Sequence, residues 1–135
     1  MDNAMRLEIV TPEAMVYSED VDMVTLPGME GQMGVQDQHV RLMTVLVPGE
    51  LIVHKSGRDD FMAVGEGLVE ITNERLSIVT NMAVAVDKID EAAAEEARQR
   101  AAARLREKLS SEEVAAVNAS LARSLAQLHV KRRHR

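Results

Sequence analysis

The 135-residue chain contains no cysteine and no tryptophan, and its only aromatic residues besides histidine are Tyr17 and Phe61. Without cysteine there is no disulfide framework, no thiolate nucleophile and no thiolate metal ligand, and a reducing compartment is compatible with the composition. With so few aromatics, base-stacking platforms and large aromatic ligand pockets are excluded. Long apolar runs are also missing. Met82 to Val86 is typical of the longest, against the roughly 20 residues that span a bilayer, and Met1 to Met5 lacks the basic-then-apolar order of a signal peptide. These absences lead us to expect a soluble, cytosolic protein with an aliphatic core filled out by its nine methionines. Hydrophobic residues make up 46%, charged residues 28%, and the net charge is −6, which places the chain in the globular class.

The charge is unevenly distributed. Residues 1–87 carry 5 Lys and Arg against 15 Asp and Glu, net −10, whereas residues 88–135 carry 11 against 7, net +4. Composition changes at the same place, since every Gly and Pro precedes residue 68 and Ala dominates after residue 91. Two units are therefore expected, 1–87 and 88–135.

In the first unit, short alternating or continuous apolar runs recur from Leu7 to Val86, separated by turn signals at Thr11-Pro12, Pro27-Gly28, Pro48-Gly49, Ser56-Gly57, Gly65-Glu66-Gly67 and Asn73-Glu74. Ten short strands at this spacing predict an antiparallel β-sandwich or barrel. In the second unit, Asp90 caps a helix expected to reach Leu109, built almost entirely of Ala, Glu and Arg. Ser110 and Glu113 then form a capping box, and Val114, Val117, Leu121, Leu125 and Leu128 follow as one helical stripe. The two helices, each about 18 residues or roughly 27 Å long, make an antiparallel hairpin with a thin inner face of Leu105, Leu109 and alanines. The whole is mainly β with an α appendage: a ten-stranded antiparallel β-sandwich followed by a two-helix hairpin.

The run Leu26-Pro27-Gly28-Met29-Glu30-Gly31-Gln32-Met33-Gly34-Val35, followed by His39 and Pro48-Gly49, together with Gly65-Glu66-Gly67 and Asp87 to Ala92, resembles the epsilon subunit of bacterial F-type ATP synthases. The resemblance covers nearly the whole chain. It implies a non-catalytic central-stalk subunit whose sandwich binds the gamma subunit and the c-subunit ring, and whose hairpin extends toward the alpha/beta catalytic hexamer to restrain ATP hydrolysis. It implies a peripheral location on the cytoplasmic face of the bacterial plasma membrane, with membrane association only through the complex. Rotor contact falls on Glu30, Gln32, His39 and Arg41, and inhibitory contact with beta on Arg123, Lys131, Arg132, Arg133 and Arg135. Two departures stand out. The segment Gln36 to Arg41 lacks the prolines usual there, and Gln32 replaces a common carboxylate, for which Glu30 is the nearest substitute. Some relatives bind ATP through Ile/Leu-Asp-x-x-Arg-Ala. Here Ile89 and Asp90 remain, with Arg98, Arg100 and Arg123 as nearby cations, but Ala93 replaces the arginine, so no cofactor is expected.

The residues also admit plainer readings. His39 and His54 lack partners at ligand spacing and read as structural or interface residues. Gly28, Gly31 and Gly34 precede no helix and read as turn and bulge positions, not a phosphate loop. The tail His129 to Arg135 suits either a helix C-terminus or an acidic partner surface. The competing function is a sandwich module with a basic tail for nucleic acid or anionic membrane. It lacks aromatic interleaving, and its sandwich is acidic. No nucleophile, base and oxyanion constellation supports an enzyme.

Overall fold

The structure, a computed structural model, describes residues 5–36 and 41–135. Ten strands precede two helices: β1 (Met5–Val10), β2 (Met15–Val21), β3 (Met23–Gly28), β4 (Gly31–Gln36), β5 (Leu42–Leu46), β6 (Gly49–Lys55), β7 (Arg58–Val64), β8 (Gly67–Ile71), β9 (Arg75–Thr80) and β10 (Ala83–Ala85), then a 3-10 turn (Val86–Lys88), α1 (Glu91–Arg104) and α2 (Ser111–Arg133). The expected ten-stranded sandwich with a helical hairpin is present. One ladder departs from the antiparallel expectation, because β1 runs parallel to β9. Parallel pairing needs a long connection, and most of the sandwich lies between these two strands.

The ladder order is β10-β7-β6-β3-β5-β8-β9-β1-β2, with β4 added on β3. β3 bridges the two halves of the curved sheet, since its residues Met23 to Thr25 pair with β6 while Gly28 pairs with Leu46 of β5. The β6–β7 hairpin closes through Ser56 and Gly57 at φ 54° and 75°, the paired left-handed conformation that matches strand twist. At Gly67 a side chain is impossible, because an added Cβ would stand 2.0 Å from the Val79 carbonyl oxygen across the β8–β9 ladder.

Period-two alternation drives the main core: Leu7 and Ile9 of β1, Leu76 and Ile78 of β9, and Leu26, Leu46, Leu51 and Val69 are fully buried. Methionine contributes less than expected. Only Met5 and Met62 are buried among the described methionines, while Met15, Met29 and Met43 are exposed. β-branched and leucine side chains fit the pleated inner surface, and methionine is left to outer positions and turns.

The helices are unequal, 14 and 23 residues, or about 21 and 35 Å. Asp90 caps α1 by accepting from the Ala93 amide at 3.1 Å, and Ser110 and Glu113 form the expected capping box. α1 stops at Arg104, five residues short of Leu109, because Leu105 to Lys108 are exposed and have no apolar surface to pack on. The stripe on α2 also needs correction. Leu125 and Val114 are exposed, while Ser124, Ala126, Leu128 and Val130 are buried. Of these, Val130 packs with Ala63 and Ile89 at the sandwich, while α2 also packs along α1. No helix is long and apolar enough to cross a membrane among the described residues.

The sandwich buries its own core of Met5, Leu7, Ile9 and their partners without any residue of the hairpin. A chain truncated after Lys88 is therefore expected to keep a cooperative thermal transition. A gradual, non-cooperative melt of the truncated chain by near-UV circular dichroism would show that the hairpin is needed to complete the fold.

Candidate functional site

The C-terminal half of α2 lies on β6, β7 and the 3-10 turn. On β6, Glu50 and Leu51 are both buried, and on β7 so are Met62 and Ala63. Successive strand residues face opposite ways, so burial of both means that this part of the sheet is covered on each face. The main core covers one face and the hairpin the other. A second, small apolar cluster of Ala63, Ile89 and Val130, flanked by Phe61, Met82, Val84 and Val86, joins hairpin to sandwich.

Glu50 is the polar centre of this junction. Its side chain is 4% exposed. His134 Nε2 stands 2.5 Å from Glu50 Oε2, and the imidazole stacks on Phe61 with ring centroids 3.7 Å apart. Arg133 lies 3.3 Å from Oε1, at ion-pair distance without hydrogen-bond alignment. Lys131 donates to the Val86 carbonyl at 3.2 Å, and Gln127 donates to the Met82 sulfur at 3.1 Å.

A second set of tail cations turns toward α1. Arg132 donates to Glu91 and Glu95, both at 3.0 Å, and Arg135 donates to Glu91 at 3.1 Å. Arg98 and Gln99 complete the shell around Glu95. Hydrogen bonds from Arg98, then Arg132, pull the Glu95 carboxyl from its ordinary value near 4.5 down to about 2, and Arg132 likewise lowers Glu91. Arg104 meets Glu113 at the far end of the hairpin.

The residues expected to touch the rotor occupy the β3–β4 tip and its surroundings. Glu30 and Gln32 are exposed there beside Met29, and Arg41 is exposed just before β5. His39 lies outside the described residues. Gln32 lines a cleft of about 370 Å³ that it shares with Pro27, Glu50, Leu125, His129 and Arg133, so the tip and the tail are neighbours. Of the residues expected to face beta, Lys131, Arg132, Arg133 and Arg135 all bind within the chain, and Arg123 runs its stem past Gly65. Of the residues in the ATP-type motif, Ile89 is buried in the second cluster, Asp90 is occupied as a helix cap and Arg98 is held by Glu95.

His54 sits in a cross-strand chain, its Nδ1 2.7 Å from Asp59 and its Nε2 2.9 Å from the Thr25 hydroxyl, tying β7, β6 and β3 together. No group of three metal-ligating side chains converges among the described residues.

Two features escaped sequence reasoning. Glu50 looked like one acidic residue among many. The second is an apolar row on the outer surface, where Val10 pairs with Val79, Val79 with Leu68, and Leu68 with Val45. Val79 is 58% exposed and Leu68 53%, so the row faces solvent across four strands. Its signal was present in runs such as Leu42 to Val47, which are continuous where a strand with one wet face would alternate.

A family model described as "ATP synthase, Delta/Epsilon chain, beta-sandwich domain" matches residues 4–86, and one described as "ATP synthase, Delta/Epsilon chain, long alpha-helix domain" matches residues 87–132. The chain belongs to the ATP synthase delta/epsilon family. It is 40% identical over 131 residues to the ATP synthase epsilon chain of Herpetosiphon aurantiacus, covering 97% of this chain and 96% of the relative. The epsilon chain of Chloroflexus aggregans is also 40% identical, with coverage of 97% and 94%. Among solved structures, a chain of the Euglena gracilis mitochondrial ATP synthase OSCP/F1/c-ring structure has the same fold, with a TM-score of 0.75, 22% identity and coverage of 96% of this chain and 81% of that one.

The depressed Glu91 and Glu95 carboxyls set a pH dependence. A folded-state pKa below the unfolded one stabilises the hairpin fully above the ordinary carboxylate range, and that stabilisation disappears as pH falls from about 4.5 toward 2. The helical signal should therefore melt at progressively lower temperature over this window. Replacing both residues by Gln should flatten the dependence, and an unchanged slope in the double variant would show that other groups carry it.

Proposed function

We infer that this chain is the epsilon-type central-stalk subunit of a rotary F-type ATP synthase, a non-catalytic subunit peripheral to the cytoplasmic face of a bacterial membrane. Family membership across both units, at 40% identity over nearly full length, is the observation that carries this reading. Sandwich and hairpin then divide the work.

The row Val10, Val79, Leu68 and Val45 is the docking face for gamma. A continuous apolar row across four strands costs free energy while it faces water, and a flat sheet surface suits a protein partner better than a small ligand. The β3–β4 tip, with Glu30 and Gln32 exposed beside Met29, reaches toward the c ring, and Arg41 extends the same polar surface. In the docked hairpin, Arg132, Arg133 and Arg135 are paired with Glu50, Glu91 and Glu95, and Lys131 is held by the Val86 carbonyl. They therefore reach the alpha/beta hexamer only when the hairpin leaves its resting place, and the restraint on hydrolysis depends on that movement. ATP has no role as a resident ligand in this reading, since Ala93 supplies no cation and Ile89, Asp90 and Arg98 are engaged in holding the hairpin together. The same engaged tail disfavours a module for nucleic acid or anionic membrane.

Replacing Leu68 and Val79 by Lys should abolish co-purification with gamma while leaving the thermal transition of the isolated chain in place. Retained co-purification would remove this row from the interface. In the assembled enzyme, Gln32→Cys should crosslink to a c-subunit loop, and crosslinks only to the outer stator would refute the placement.

Replacing Lys131, Arg132, Arg133 and Arg135 by Ala in the assembled enzyme should raise ATP hydrolysis severalfold at low salt, with the difference shrinking as salt screens the contact. Hydrolysis at the unaltered rate would reduce the tail to a device for closing the hairpin.

A further inference from the structure

The methionines differ in what surrounds their sulfur. Met5 and Met62 are buried in the main core, and Met33 packs against it. Met23 and Met82 are half-buried, and their sulfurs accept from Gln36 Nε2 at 3.8 Å and Gln127 Nε2 at 3.1 Å. Among the described residues this leaves Met15, Met29 and Met43, which are 52%, 75% and 65% exposed. The chain has no cysteine and no tryptophan, so a mild two-electron oxidant in the surrounding water meets thioethers and no competing thiol or indole.

Two of the three exposed methionines border the apolar row. Val10, at one end of the row, stands in register with Met15 of β2. Val45, at the other end, is two residues from Met43 on β5, so both side chains point to the same face of the sheet. The centre of the row, Leu68 and Val79, is aliphatic and inert to oxidants, whereas its margins carry sulfur. Met29 lies apart, at the β3–β4 tip.

We propose that Met15 and Met43 are reversible oxidation sites that decide whether the unassembled chain can dock through this row. The oxidant is hydrogen peroxide. A sulfur lone pair attacks one peroxide oxygen, the S–O bond forms and the O–O bond breaks. The transferred oxygen gives its proton to the departing hydroxide, which leaves as water, so one sulfide becomes one sulfoxide and one peroxide is reduced. Each sulfoxide places a strong acceptor at the border of a surface that docking must dry. Its desolvation is uncompensated unless the partner brings a donor, and the cross-strand neighbour of Met43 is Glu70, a carboxylate with no proton to give. Once the row is covered, the sulfurs beside it are shielded. Oxidation therefore acts before assembly, withholding damaged chains until sulfoxide reduction restores them. The inference rests on the reading of this row as the face for gamma.

The test treats the isolated full chain with hydrogen peroxide and locates sulfoxides by peptide mass mapping. Met15, Met29 and Met43 should oxidise ahead of Met5 and Met62, the cooperative thermal transition should persist, and affinity for gamma should fall about tenfold. Methionine sulfoxide reductases A and B together should restore binding. Met15→Leu with Met43→Leu should bind gamma equally before and after peroxide, and Met29→Leu alone should give no protection. Undiminished binding by the oxidised chain, protection by Met29→Leu alone, or loss of the thermal transition on oxidation would each overturn the proposal. The untreated Leu68→Lys, Val79→Lys variant reads the row itself. Retained gamma binding there removes the row from the interface, whereas lost binding there with full binding by the oxidised chain removes only the oxidation sites.

Discussion

A carboxylate that is nearly removed from water must be met by cations, and the position of Glu50 on β6 decides where those cations come from. Its nearest supply is the end of α2, and bringing Arg133 and His134 to it fixes both the depth and the rotation of that helix. The imidazole can then lie flat on Phe61, one of only two aromatic rings of its kind in the chain, and Val130 can fill the space beside Ala63. With α2 so placed, Arg132 and Arg135 turn toward Glu91 and Glu95, and α1 is drawn alongside. Apolar burial here is modest, because the cluster has only three buried members, Ala63, Ile89 and Val130, with Phe61, Met82, Val84 and Val86 packed against it, and charge pairing adds to it in fixing the geometry.

The two outer faces of the sandwich are treated differently. The β6–β7 face is covered by the chain's own hairpin, and the face crossed by Val10, Val79, Leu68 and Val45 is left to solvent. One face leaves an apolar row uncovered, and the other holds the hairpin by a small apolar cluster and ion pairs. The cleft between Gln32 and α2 places the β3–β4 tip next to the end of α2, with Pro27, Glu50 and Arg133 among its lining.

The sequence alone determined the ten strands, the helical hairpin and its caps, because these are local: alternation, turn residues and the Ser110–Glu113 box act within a few positions of each other. Family membership was equally legible, since the glycines and prolines from Leu26 to Gly49 mark turn positions that only those residues fill well. Other features were decided by tertiary structure. The parallel β1–β9 pair joins segments far apart in the chain, and no local signal states strand direction. Methionine is equally apolar inside and outside, so its exposure was set by which strand positions the sheet turned inward. Leu125 is exposed and Ala126 and Val130 buried because the rotation of α2 is set by its packing on both α1 and the sandwich, which helical periodicity alone does not state. Glu50 became special only through burial. A charge has no exceptional role until the fold takes it from water and brings its partner from 84 residues away.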